Sequence, residues 1–178
     1  MINYNTSEIS RWAREIKAGQ LITLSGLVYT ARDAAHKRLA ELIGRDEELP
    51  FELKGSFIYY AGPTPARPGA PSGACGPTTS GRMDQYAPEL IRRGLACMIG
   101  KGDRSAEVIS AMREHGVPYL AALGGAGALA ARHIRSVREV AFPELGCESV
   151  KLLEFDRFPL VAAIDCAGGN VYKRDAGV

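Results

Sequence analysis

The chain has 178 residues, 46% hydrophobic and 24% charged, with a net charge of +2. That is enough length for one domain with a real core, and the composition is ordinary for a globular protein. The near-neutral balance leaves no basic footprint for nucleic acid. With no apolar run before Gln20 and no stretch of spanning length, neither a signal peptide nor a membrane segment is expected, and the expected location is cytoplasmic.

Thr6 or Ser7 can cap a first helix, with Ile9, Trp12, Ala13 and Ile16 at helical spacing and Gly19 as its stop. Leu21 to Thr30 is rich in Leu, Val, Ile and Thr and predicts a strand. Asp33 can cap a second helix with Ala35, Leu39, Leu42 and Ile43 on one face. Ser56 to Ala61 predicts a short strand, and residues 62–77 hold too many prolines and glycines for regular structure. That loop is expected to be mobile when the chain is isolated.

The nonapeptide Gly76-Pro77-Thr78-Thr79-Ser80-Gly81-Arg82-Met83-Asp84 comes next. It has little to bury and much to offer an anion: hydroxyls on Thr78 and Thr79, the planar fork of Arg82, and the N–H groups of a helix start. From local chemistry alone, Thr78 and Thr79 cap the helix and bind an anion. A catalytic Thr78 needs positive charge or a metal beside it to favour the alkoxide. Pro88 predicts a break, with a short turn at 81–86 and a new helix holding Pro88 in its first turn.

Ala96 to Gly100 predicts a buried strand, Ser105 to His115 a helix stopped by Gly116, and Tyr119 to Leu123 another strand. Gly124-Gly125-Ala126-Gly127 leads into a helix through His133. Its fit to a dinucleotide fingerprint is weak, because no acidic partner is evident. Val137 to Phe142 predicts a strand, Val150 to Phe155 and Leu160 to Asp165 a β-hairpin around Asp156-Arg157, and Lys173 to Val178 a loose end. The alternation predicts an α/β fold as one domain over 1–178, with a partly parallel sheet and antiparallel β elements.

Arg32, Lys101 and Arg104 each follow a predicted strand, and ligands of parallel sheets bind at the carboxyl ends of strands. Arg32 and Lys101 can therefore join Arg82 and Thr78 around one small cavity, suited to a dicarboxylate or a phosphorylated metabolite. Cys75, Cys97, Cys147 and Cys166 fit neither a zinc site nor a CxxC pair, and are expected to be free and mostly buried. His36, His115 and His133 show no metal spacing, and surface or capping roles are expected for them.

The blocks Ser25-Gly26, Tyr29 to His36, Tyr59 to Pro63, Gly76 to Asp84, Gly100-Lys101-Gly102 and Asp156 to Leu160 resemble the iron–sulfur (class I) fumarases. The resemblance is to their C-terminal domain, or to the β subunit of two-subunit fumarases and L(+)-tartrate dehydratases, and it covers nearly the whole chain. It implies a swivelling β/β/α fold. It implies Thr78 as catalytic base, Arg32 and Arg82 as substrate carboxylate clamps, and Lys101 as the last member of the cluster. It further implies a [4Fe–4S] cluster held by a separate α subunit, in a heterotetramer, with no metal bound by this chain. The implied reaction is hydration of fumarate to L-malate. Tartrate dehydration and a non-catalytic anion-binding or scaffolding subunit are the alternatives.

Overall fold

The computed structural model describes residues 1–173. Seven strands form one sheet: β1 (Ile2–Asn5), β2 (Leu21–Thr30), β3 (Phe57–Tyr59), β4 (Cys97–Gly100), β5 (Tyr119–Ala121), β6 (Ile134–Ala141) and β7 (Val150–Ile164). Five α-helical segments accompany them: α1 (Ile9–Trp12), α2 (Asp33–Gly44), α3 (Ala87–Arg92), α4 (Ala106–His115) and α5 (Gly127–Ala131). The strand order is β1-β2-β3-β4-β5-β7-β6, and β7 also pairs with β2. Strands β1 to β5 run parallel, while β7 is antiparallel to β2, β5 and β6. The expected α/β class with mixed strand directions is thus observed.

Because β7 touches both β2 and β5, strands β2-β3-β4-β5-β7 close into a ring. Side chains alternate across a strand, so closure gives the molecule two cores. Phe57, Tyr59, Ile99, Leu120, Phe155 and Phe158 belong to one, with Phe155 and Phe158 stacked at 4.0 Å. Their alternates Ile58, Tyr60, Met98 and Tyr119 belong to the other, together with Ala35 and Leu39 of α2, Leu90 and Ile91 of α3, and Val108 and Met112 of α4.

Several elements depart from the sequence expectation. No hairpin forms at Asp156-Arg157; β7 runs on through it for 15 residues. The pairing register with β2 shifts between Leu24 and Gly26, and Arg157 takes a positive φ of 49° while its N–H donates to Ser25 Oγ at 3.0 Å. The two polar residues therefore make a bulge, where a chain reversal was expected. The first helix is a 3₁₀ turn (Thr6–Glu8) leading into the four residues of α1, and Asn5, rather than Thr6 or Ser7, is its cap. Strand β1, absent from the sequence reading, precedes it. Between β6 and β7 lies an unexpected 3₁₀ segment, Pro143–Glu148. The C-terminal segment predicted loose lies outside the described residues, apart from Lys173. Among the described residues, no helix is long and apolar enough to cross a membrane.

Candidate functional site

The parallel strands deliver their carboxyl ends to one edge. Thr30 ends β2 just before Arg32, Tyr59 ends β3 before the long 62–77 loop, and Gly100 ends β4 just before Lys101. The loop after β3 folds back on this edge. Pro77 bridges Ala61, the Thr78 N–H donates to the Tyr60 carbonyl at 2.7 Å, and Thr79 bridges Lys101. The Ser80 N–H donates to the Lys101 carbonyl at 2.9 Å. Close approach here requires glycine: a Cβ on Gly100 would stand 2.0 Å from Ser80 Oγ and 2.8 Å from the Tyr60 ring.

Thr78 is half-buried, and Nη2 of Arg82 donates to its Oγ1. Nε of Arg82 lies 3.2 Å from Asp33 Oδ1, while Nη2 of Arg32 lies 3.9 Å from Asp33 Oδ2 and 3.6 Å from Glu148 Oε1. The two arginines therefore share one carboxylate and one face of the molecule. Lys101 is exposed; its backbone pairs with Thr79 and Ser80, and its side chain lies beside Gly124, away from the shared carboxylate. Arg32 Nε is buried without a hydrogen-bond partner among the described residues. A buried, unmet donor costs roughly 1–3 kcal/mol, so this edge has an open demand for an acceptor.

Asp33 and Glu148 are the residues that sequence reasoning missed as members of the cluster. Asp33 was expected to cap α2, yet the helix makes no side-chain cap at its own start. Glu148, which lies beyond β6, supplies one instead, accepting from the Ala34 N–H at 3.0 Å. No local signal links it to Ala34. The two carboxylates also offset the positive charge of Arg32 and Arg82.

Thr78 and Thr79 do not cap a helix, contrary to the sequence expectation. A single 3₁₀ turn, Ser80–Met83, succeeds them, with no side-chain cap bond from Thr79. The groups this loop presents are therefore the Thr78 hydroxyl and the Arg82 guanidinium, which contact each other. The glycine-rich stretch before α5 is explained by packing: a Cβ on Gly127 would stand 3.0 Å from the Gly76 nitrogen, and the Gly127 carbonyl accepts from the Cys75 N–H.

Arg104 does not join the open cluster. Only 5% exposed, it turns inward to Asp84 at 2.7 Å. Burial opposes its charge, but Tyr60 and Asp84 beside it hold its pKa above the ordinary arginine value. His36, expected at the surface or as a cap, is fully buried between Tyr60 and Tyr86. Its ring Nδ1 lies 3.0 Å from the Arg32 carbonyl, which also accepts the His36 backbone N–H. Burial lowers the His36 pKa to about 4, so the ring is neutral and Nδ1–H is the donor.

Cys75 and Cys97 are buried, as expected, but Cys147 is exposed and Cys166 only partly covered. Burial pushes the Cys75 thiol up to about 12. Among the described residues, no group of three or more His, Cys, Asp or Glu side chains could hold a metal ion.

The family model described as "Fumarase C-terminus" matches residues 1–175. The chain belongs to this family. It is 38% identical over 175 residues to "Fumarate hydratase class I, anaerobic" of Escherichia coli (strain K12), covering 97% of this chain and 32% of that protein. To "Fumarate hydratase 2" of Leishmania major it is 40% identical over 158 residues, 88% of this chain and 28% of the relative. A relative of other length is "Putative L(+)-tartrate dehydratase subunit beta" of Methanocaldococcus jannaschii, 40% identical over 167 residues, 90% of this chain and 85% of the relative. The chain thus spans about a third of the length of the fumarate hydratases it matches. The similarity places it in a hydro-lyase family.

Proposed function

We propose that this chain, acting as one domain, is the β-type component of a hydro-lyase that interconverts fumarate and L-malate. The observation that carries this reading is the Arg82–Thr78 contact beside Arg32 and Lys101 at one sheet edge. A guanidinium held against an alcohol oxygen favours the alkoxide, giving a base where none exists in free threonine. In the dehydration direction Thr78 takes the carbon-bound proton of a 2-hydroxy dicarboxylate, and hydroxide leaves the adjacent carbon. Arg32, Arg82 and Lys101 hold the carboxylates and stabilise the negative charge that builds on one of them as the proton departs.

The reading includes a cytoplasmic α-type partner in a heterotetramer, and that partner holds the [4Fe–4S] cluster. Support comes from the name of the M. jannaschii relative, a "subunit beta". A partner that closes over the site would also cover Leu123 and Leu129. These are 63% and 59% exposed, border an apolar groove of about 280 Å³, and lie next to Gly124, against which Lys101 leans. L(+)-tartrate is the second substrate reading, favoured by the same relative.

The test is anaerobic co-expression with a fumarase-type α subunit, with fumarate and L(+)-tartrate assayed in parallel. Fumarate absorbance should change only with both subunits present. Turnover of tartrate alone would move the assignment to the second reading. Turnover of neither by an iron-loaded complex would leave an anion-binding or scaffolding subunit.

A further inference from the structure

We propose that the pair formed by half-buried Asp84 and buried Arg104 is a positioning device, locking the segment that carries Thr78 and Arg82 to the loop that carries Lys101. The inference rests on the functional reading above and deepens it. Both oxygens of Asp84 are spent on the Lys101 loop: Oδ1 accepts from Arg104 Nε at 2.7 Å, and Oδ2 accepts from the Ser105 N–H at 2.6 Å. Asp84 stands two residues after Arg82, so the carboxylate fixes the end of the turn from which Arg82 projects.

Arg104 extends the tie to a third segment. Its Nη2 donates to the Tyr60 hydroxyl at 3.3 Å and its Nη1 to the Met98 sulfur at 3.2 Å. The guanidinium carbon lies 5.3 Å from the Tyr60 ring centroid and 5.1 Å from that of Tyr119. Tyr60 is the residue whose carbonyl accepts the Thr78 N–H. The Tyr119 hydroxyl bonds Ser80 Oγ at 2.8 Å and donates to the Gly102 carbonyl at 2.9 Å. One buried cation thus touches, directly or through one tyrosine, the anchors of Thr78, Arg82 and Lys101.

Burying the pair contributes little net stability compared with apolar groups of the same volume, because desolvation cancels much of the attraction. Its distinctive contribution is direction. A carboxylate that accepts from Arg104 Nε through one oxygen and from the Ser105 N–H through the other restricts the relative placement of two loops, which dispersion forces between methyl groups do not enforce. Misplacing a reacting group by about 1 Å costs on the order of 10²-fold in rate.

The experiment compares wild type, Asp84→Asn, and the apolar double variant Arg104→Met/Asp84→Leu in the assembled enzyme. The expected result for the double variant is a near-native melting temperature, kcat lowered by about 10–10²-fold and KM changed by less than about threefold. Amide hydrogen exchange is expected to quicken at Ser80, Arg82 and Lys101 and to stay native along β7. Native kcat in the folded double variant, or native exchange at those three amides, would overturn the proposal. Should the double variant fail to fold, Asp84→Asn decides on the same readouts. A wild-type complex without turnover would count against the functional reading, and the exchange measurement would still decide the positioning role.

Discussion

Two ends of the same sheet collect cations, and only one of them has the makings of a site. At the amino-terminal end of β4 and β5, Arg14, Arg92 and His115 line a cavity of about 370 Å³. Arg92 stands in the last turn of α3, where its positive charge complements unpaired helix carbonyls, and His115 ends α4. Arg92 is further engaged by Glu89 at 2.9 Å. At the carboxyl end, Arg82 is aimed at a threonine hydroxyl and Arg32 keeps a buried unmet N–H. Positive charge alone does not distinguish the two ends. The difference is that Arg92 is paired with Glu89 at the end of its own helix, whereas Arg32 keeps a donor that no described residue meets.

The contrast can be broken at Thr78. Thr78→Ala is expected to lower kcat by about 10³-fold with KM nearly unchanged, the usual scale for loss of a positioned base. Activity within a factor of about ten of wild type would remove Thr78 from that role.

The next effect concerns the floor of the carboxyl-end site. His36 titrates at about 4 in the fold, against 6.5 for a free histidine. Between those values the unfolded chain binds a proton that the native chain refuses. Its contribution is therefore complete above pH 6.5 and declines as pH falls to about 4, for a loss of roughly 3 kcal/mol. Urea unfolding at stepped pH checks this, and His36→Gln should flatten the slope. An unchanged slope in that variant would assign the acid lability to other groups.

Arg82→Lys comes third, with kcat/KM expected to fall by about 10–10²-fold because a point charge cannot replace a fork. The smallest effect sharpens the comparison from the other side. Arg92→Ala, at the amino-terminal end, should leave kcat/KM within about twofold of wild type, as for an exposed charge with a local partner. A large loss there would mean that both ends serve the reaction.

Much of this was legible in the residues, for a physical reason. Leu21 to Thr30, the strand before Lys101 and the strand at Tyr119 are apolar runs bounded by glycine or charge, and α4 carries its Ser105 cap and Gly116 stop in plain view. Parallel strands then carry Arg32 and Lys101 to one edge, while Thr78 and Arg82 reach it through the loop after β3, which folds back onto Tyr60 and Lys101. The features that stayed hidden were set by distant pairing. β1 has only four residues, and its partner is β2. Asp156-Arg157 has turn chemistry, but β2 holds β7 straight through it. Glu148 and Asp84 take their meaning from Ala34 and Arg104, which no local pattern connects to them.

The shared strand β7 has a consequence for the order of assembly. It is the last strand among the described residues, and it is the stave that shuts the ring, setting Leu160 against Ile22 and Ala162 against Leu120. During synthesis, the earlier staves emerge with the inward rings of Phe57 and Tyr59 still uncovered, and they stay so until residues near 160 clear the ribosome. Contacts this far apart in sequence form slowly, and unfinished barrels expose sticky edges. Nascent chains stalled just short of Phe158 should therefore be the form that chaperones hold longest.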